Sequence, residues 1–109
     1  MSPTTPAQFL QIHISERDAY QGKPLYEAIV TLCREMRIAG ATVFRGLEGY
    51  GETAELHKAH LGRHDSPIVI AIVDHREKIA ALITKVEEML DTGLLAVSNV
   101  EVIRITGEG

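Results

Sequence analysis

Three histidines in the middle of the chain have the type and spacing of metal ligands. His57, His60 and His64 are separated by three and four residues, so a helical segment would carry them on one face. Imidazoles bind zinc or copper, and the carboxylate of Asp65 or Glu55 could complete such a shell. The same pattern is also typical of a polar loop whose histidines are exposed or respond to pH. The spacing leaves both alternatives open.

A second group of candidate residues surrounds a glycine-rich turn. Gly49 and Gly51 flank Tyr50, and glycines allow positive φ angles and a close approach of a ligand to the backbone. Successive amides in such a turn can bind an anion. Arg45 lies just before the turn, where its guanidinium could clamp a phosphate or bridge two subunits. A simple strand bulge or hinge is the structural alternative for the glycines.

Two further cations and one threonine are weaker candidates for a ligand site. Arg17 and Lys23 precede the first predicted helix, whose N-terminus favours anions. They could meet a phosphate or carboxylate, or pair with acids such as Glu16 and Asp18. Thr42 could hydrogen-bond the edge of a base, although strands commonly use threonine for its β-branched shape.

Length and composition are those of one small globular domain. The chain has 109 residues, of which 45% are hydrophobic and 24% charged, and its formal net charge is -4. That charge, without a basic cluster, argues against nucleic acid or an anionic membrane as a partner. Cys33 is the single cysteine, so no internal disulfide forms. We expect no signal peptide or membrane span, and a cytoplasmic location.

Periodicity in the first half predicts a strand, a helix and a second strand. Residues 9–15 alternate between apolar and polar side chains, as in a half-buried strand. Pro24 is at a position suited to the start of a helix, and Gly40 is expected to end it. The apolar stripe of this helix comprises Leu25, Ile29, Leu32, Cys33 and Met36. The second strand is expected from Ala41 onward.

The second half predicts a long loop followed by a strand, a helix and a last strand. Residues 52–66 are polar and read as a loop, and Pro67 opens a strand whose apolar run, 68–73, suggests burial on both faces. Asp74 and Glu77 resemble a capping box. Gly93 is expected to end the second helix, before a strand over 97–105. The stripe of this helix comprises Ile79, Leu82, Ile83, Val86 and Leu90.

This order of elements predicts an α+β fold, the ferredoxin-like βαββαβ sandwich. In that fold two helices cover one face of a four-stranded antiparallel sheet. We expect one domain over residues 9–106, preceded by a flexible N-terminal segment, 1–8.

Several motifs together resemble the domain-of-unknown-function 190 family. They are GKPLYE at 22–27, GATVFRG at 40–46, GYG at 49–51 with His57 after it, and residues 65–74, which end in Val73-Asp74. The resemblance covers roughly residues 10–103. It implies the fold of PII signal proteins, in which ferredoxin-like subunits form a homotrimer.

The resemblance also implies a function. Members of the PII group bind adenine nucleotides or other small effectors in clefts between subunits, and a mobile loop after the second strand engages a partner, often a membrane transporter or an enzyme. By analogy, the ligand-binding residues here would be Thr42, Arg45, Gly49, Tyr50, Gly51, Arg17, Lys23 and Arg104.

The chain departs from PII proteins proper at three points. One extra residue separates the GxTV segment at 40–43 from GYG. The ending VIRITGE at 102–108 has one arginine fewer than R-I-R-T-G-E, so Arg104 is shifted by one residue, which on a strand moves it to the opposite face. The Gly-Asp-Gly-Lys loop before the last strand is absent.

Other functional classes fit the sequence less well. A phosphatase of this fold needs a compact glycine cradle after the first strand, which the loop 15–22 lacks, so we expect no catalytic residues. An RNA-binding sheet needs aromatic residues on its central strands and a basic face, whereas this chain has a net negative charge. The favoured interpretation is a signal protein that binds a small effector, for example an adenine nucleotide. The alternative is a metal-binding trimer that uses His57, His60 and His64.

Overall fold

A computed structural model describes residues 3–50, 56–58 and 65–105, with backbone only at 56–58. The strands are β1 (Thr5–Ser15), β2 (Ala19–Tyr20), β3 (Lys23–Pro24), β4 (Ala41–Arg45), β5 (Glu48–Tyr50), β6 (Leu56–Lys58), β7 (Pro67–Asp74) and β8 (Leu94–Val102), and the helices are α1 (Leu25–Glu35) and α2 (Arg76–Glu87).

The main sheet has four antiparallel strands in the order β4-β7-β1-β8. With α1 and α2 between them, these strands follow the chain order βαββαβ, so the predicted ferredoxin-like topology is confirmed. Two small hairpins, β2-β3 and β5-β6, are additions to that topology. The β5-β6 hairpin corrects part of the predicted loop, since residues 56–58 form a strand.

One face of the sheet packs against both helices and forms the core. Alternate residues of the two central strands point toward the helices, as the period of two requires. The buried hydrophobic residues are Leu10, Ile12 and Ile14 of β1, Ile68, Ile70 and Ile72 of β7, Leu25, Ile29 and Cys33 of α1, and Ile79, Leu82 and Val86 of α2. Both predicted helical stripes are therefore confirmed.

Cys33 is a buried core residue, as its place in the stripe predicts. Burial away from water disfavours the thiolate and raises the pKa of its thiol to about 11. At neutral pH this cysteine is a small apolar side chain rather than a nucleophile.

The opposite face of the sheet carries no helix, and we call it the open face. The strand registers place Phe44, Val69, His13 and Leu94 in one row across all four strands on this face. Phe44 and Leu94 are 54% and 53% exposed. The expectation that β7 is buried on both faces is therefore wrong for the single subunit: its central position is right, but its burial alternates.

Several element boundaries differ from the sequence prediction. β1 begins at Thr5 rather than at residue 9, because residues 5–8 pair with β8. β8 covers Leu94–Val102 rather than 97–105. α1 ends at Glu35, several residues before Gly40, and Arg37 then adopts a positive φ of 61°. The apolar stripe includes Met36, which lies just past the end of the helix and still packs against the core.

The predicted capping box at the start of α2 does not form. His75 is the N-cap residue and makes no side-chain cap hydrogen bond. The Asp74 carboxylate instead accepts hydrogen bonds from the backbone N–H of Ala39, at 2.9 Å, and of His75, at 2.6 Å. Asp74 thus joins the end of β7 to the connection between α1 and β4. Within the described ranges no helix is long and apolar enough to cross a membrane.

Candidate functional site

The candidate site lies at the end of the sheet where β1 and β4 finish and β7 begins. β1 and β4 are both antiparallel to β7, so they run in the same direction and their last residues lie at the same end. Five residues meet there, which we call the base clamp: Glu16, Arg45, Gly46, Ser66 and Pro67. The chain leaves the sheet after Arg45 and returns to it at Pro67.

Two backbone hydrogen bonds hold the start of β7 between its neighbours. Glu16 N–H donates to the Ser66 carbonyl at 2.8 Å, and Gly46 N–H donates to the Pro67 carbonyl at 2.7 Å. A Cβ added to Gly46 would lie 2.8 Å from Cγ of Pro67, closer than real Cβ atoms come. Gly46 is therefore required by the close approach of β4's end to Pro67.

The side chains of Arg45 and Glu16 close the clamp on the outside. Nη2 of Arg45 donates a hydrogen bond to Oε2 of Glu16, forming an ion pair across the start of β7. The Glu16 side chain is 6% exposed, whereas that of Arg45 is 56% exposed. The hydrogen bond with Glu16 and the charge of that carboxylate raise the pKa of Arg45. The guanidinium is anchored at one nitrogen and faces solvent over half its surface, a geometry suited to holding an anion.

A tight turn fixes the position of Glu16. The Asp18 carboxylate accepts a hydrogen bond from Ser15 N–H at 2.8 Å, and Asp18 N–H donates to the Ser15 carbonyl at 3.1 Å. The Asp18 carbonyl also accepts from Leu25 N–H, the first residue of α1, at 2.8 Å. Arg17 is in the same turn with an exposed side chain. Arg17 is therefore a second cation, and it directly follows the clamp residue Glu16 in the sequence.

Asp65 precedes Ser66, and one of its carboxylate oxygens is unsatisfied. Its Oδ1 is buried and has no hydrogen-bond partner among the residues that the structure describes. A buried carboxylate oxygen without a donor is costly, so a donor from outside these residues is expected. The sequence suggests a metal-ligand role for Asp65, whereas the structure places it beside the clamp.

The other predicted ligand residues are divided between several places. Thr42 pairs with Ala71 and lies on the open face, whereas Arg45 pairs with Ile68 and has the parity of the helix-covered face. Gly49 and Tyr50 belong to β5, where Gly49 pairs with His57, and the Tyr50 side chain is exposed. The predicted glycine-rich turn therefore does not begin at Gly49, which is a strand residue. Gly51 lies outside the described residues.

Lys23 and Arg104 are not brought to the clamp. Lys23 lies in β3 and lines a groove along α1 and α2, together with residues such as Tyr20, Glu35, Lys85 and Glu88. Arg104 is exposed and follows β8, which ends at Val102. The shift of Arg104 to another strand face, inferred from the sequence, therefore does not apply, because this residue is not in a strand.

Of the three histidines with metal-ligand spacing, only His57 lies within the described residues. His57 is in strand β6, so the helical spacing that would put three imidazoles on one face fails at its first position. His60, His64 and Glu55 lie outside the described residues. Among the residues that the structure covers, no three His, Cys, Asp or Glu side chains come together as a metal site.

The main residue that sequence reasoning missed is Glu16, as the partner of Arg45. The sequence suggested that Glu16 pairs with Arg17 or Lys23, which are its neighbours along the chain. The predicted topology favours Arg45 as the partner, since the first two long strands of a βαββαβ sheet run parallel on either side of the third and finish at the same end of the sheet. Charged residues that directly follow those two strands are expected to meet.

The fold of this chain is shared with solved structures of PII-like proteins. CPII, a nitrogen regulatory PII-like protein from Thiomonas intermedia, superimposes with a TM-score of 0.77 over 95% of this chain and 94% of that chain, at 19% identity. That structure is described as bound to ADP, AMP and bicarbonate.

The chain belongs to the DUF190 family, described as Uncharacterized ACR, whose model matches residues 7–102. A UPF0166 protein of Aquifex aeolicus is 37% identical over 98 residues, covering 88% of this chain and 92% of the relative. A UPF0166 protein of Methanocaldococcus jannaschii is 31% identical over 101 residues, covering 90% and 93%.

Proposed function

We propose that this protein is a PII-like regulator that binds a small anionic effector, an adenine nucleotide, and catalyses no reaction. The fold is shared with CPII, which is described as bound to ADP, AMP and bicarbonate. The observation in this chain that carries the proposal is Arg45: an ion-paired guanidinium with an exposed surface, fixed at the base clamp. A preorganised arginine of this kind recognises phosphate through parallel hydrogen bonds.

The open face supports assembly into a homotrimer. A row across a sheet that is apolar except for His13, with Phe44 and Leu94 about half exposed, is unusual for the surface of a subunit that stays monomeric. Covering it with further copies of the same chain would bury that row and would give β7 the two-sided burial that its apolar sequence suggests. Clefts between the subunits would then be the places where effectors bind.

Regulation would follow from differential affinity. An effector that binds one arrangement of residues 52–66 better than another shifts the population toward it, and a partner that contacts the segment then binds more or less tightly. A transporter or an enzyme is the partner class that the PII-like fold suggests.

Isothermal titration calorimetry of the metal-free protein with ADP, AMP, ATP and bicarbonate tests effector binding. We expect saturable binding of at least one adenine nucleotide. The Arg45→Gln variant should weaken this binding about tenfold or more, since one charge-assisted contact is removed. Arg34→Gln is the matched control, because it removes the same charge from the last turn of α1. Absence of binding, or equal affinity in both variants, would contradict the proposal.

Native mass spectrometry tests the trimer separately. We expect a species of three times the 12.0 kDa subunit mass. Phe44→Glu puts a charge into the open face and should shift the protein toward monomer, because burying an unpaired carboxylate is unfavourable. A wild-type monomer at micromolar concentration would exclude assembly through this face.

A further inference from the structure

We propose that Glu16 is a positioning residue: it holds Arg45 across the start of β7, so that effector binding at Arg45 also stabilises the base clamp. This inference rests on the proposed function for the effector, and on the clamp geometry for the rest. It assigns a role to a carboxylate whose only expected partners from the sequence were Arg17 and Lys23.

The exposures of the two side chains show which partner is fixed. Glu16 is almost completely buried, its N–H is bonded to Ser66, and the turn at 15–18 limits its movement. Arg45 is more than half exposed and ends an edge strand of the sheet. The carboxylate is therefore the anchor, and the long guanidinium side chain is the group that is positioned.

The burial of Glu16 also indicates whether this residue positions Arg45 for the effector or competes with the effector for Arg45. If an anionic effector drew Arg45 away, the buried Glu16 carboxylate would lose this charge-assisted hydrogen bond, which is unfavourable. Arg45 has five N–H donors and uses Nη2 for Glu16, so the other donors can serve an effector without breaking the pair. Glu16 and the effector therefore bind the same guanidinium together.

The clamp connects this pair to the backbone on both sides of β7. Arg45 is followed by Gly46, whose N–H binds the Pro67 carbonyl, and Glu16 N–H binds the adjacent Ser66 carbonyl. The ion pair completes a closed ring of contacts through these residues. An effector that reduces the motion of Arg45 therefore also reduces opening of the hydrogen bond between Gly46 and Pro67.

A double-mutant cycle on ADP affinity tests the positioning role. In the wild-type background Glu16→Gln should weaken ADP binding about five- to tenfold, because the guanidinium loses its anchor. In the Arg45→Gln background the same change should have almost no further effect. Glu77→Gln is the control, because it removes an equal charge from an exposed residue in the first turn of α2, at the other end of the sheet. Tighter binding by Glu16→Gln would show competition, and additive losses would show an independent structural role; either result overturns the proposal.

Amide hydrogen exchange in the ligand-free protein provides the second readout. The Gly46 amide should exchange about tenfold faster in Glu16→Gln and equally faster in Arg45→Gln, because both open the clamp. Unchanged exchange would overturn the clamp even if ADP binds. Failure of the wild type to bind any nucleotide would remove the effector half of the inference together with the proposed function, while faster Gly46 exchange would still identify Glu16 as the residue that closes the clamp.

Discussion

The two ends of the four-stranded sheet use charged side chains in different ways. At the end where β7 finishes, the Asp74 carboxylate accepts from two backbone N–H groups, and Lys78 Nζ donates to the carbonyls of Met36, at 3.1 Å, and Arg37, at 2.8 Å. At the end where β7 begins, Glu16 and Arg45 bond to each other, and half of the Arg45 surface faces solvent.

This difference separates a structural end from the end proposed to bind the effector. Charges that satisfy the backbone of neighbouring elements fix those elements and contribute to folding. A charge that is paired and still exposed has hydrogen-bonding capacity left for a ligand. Substitutions at the Asp74 end should therefore change stability, whereas those at the clamp should change effector affinity unless they alter the backbone.

Asp74→Ala should have the largest effect on stability. It removes a buried carboxylate that accepts from the N–H groups of both Ala39 and His75, so we expect the free energy of unfolding to fall by about 3 kcal/mol. Urea denaturation at a fixed protomer concentration measures this change. Asp74→Asn keeps one acceptor oxygen and should lose less. A change below about 1 kcal/mol would show that the carboxylate is not a structural bridge.

Gly46→Ala tests the exception at the clamp, where the backbone itself is tightly packed. Its Cβ would collide with Pro67, and we expect a loss of about 2 kcal/mol in the free energy of unfolding, typical of overpacking. Gly40→Ala is the matched control, since a Cβ there meets nothing within 4 Å, and it should change stability by less than about 0.5 kcal/mol. Equal effects of the two changes would mean that Gly46 is not held against Pro67.

Lys78→Met should have the smallest effect of the three. Methionine keeps the apolar stem but removes the ammonium group from the carbonyls of Met36 and Arg37, which directly follow α1, and this should cost about 1 kcal/mol. Thermal unfolding at low and high salt measures this loss of stability. The loss should be smaller at high salt, because salt screens the interaction. A salt-independent loss would indicate that packing of the stem, rather than charge, makes the contribution.

The core could be predicted from the sequence because it follows from periodicity. The stripes containing Ile29 and Leu82 repeat every 3.6 residues, and the alternation at 10, 12 and 14 repeats every two, so both identify the buried faces directly. Boundaries were less accurate. Pairing with β8 extends β1 back to Thr5, and no local signal in a polar, proline-containing stretch reports a partner strand more than 90 residues away.

The candidate site was only partly predictable, because it depends on which strand ends meet. Arg45 and the glycines are identified from local motifs, but the sequence does not show where the other candidates lie within one chain: Thr42 lies on the open face and Lys23 lines a groove along the helices. Glu16 carries no local signal, since a glutamate after a strand is ordinary. Its role becomes visible only when the parallel directions of β1 and β4 are combined with its burial.

Mapping the ADP-induced amide shifts of the isotope-labelled protein by NMR tests the difference between the two ends most directly. The account predicts shifts concentrated at residues 15–18, 44–49 and 65–67, with little change at 36–39 and 74–78. Shifts concentrated at the Asp74 end would contradict it, because they would place the effector beside charges that are already committed to the backbone. Absence of shifts at saturating ADP would likewise contradict the clamp as the place where this protein binds its effector.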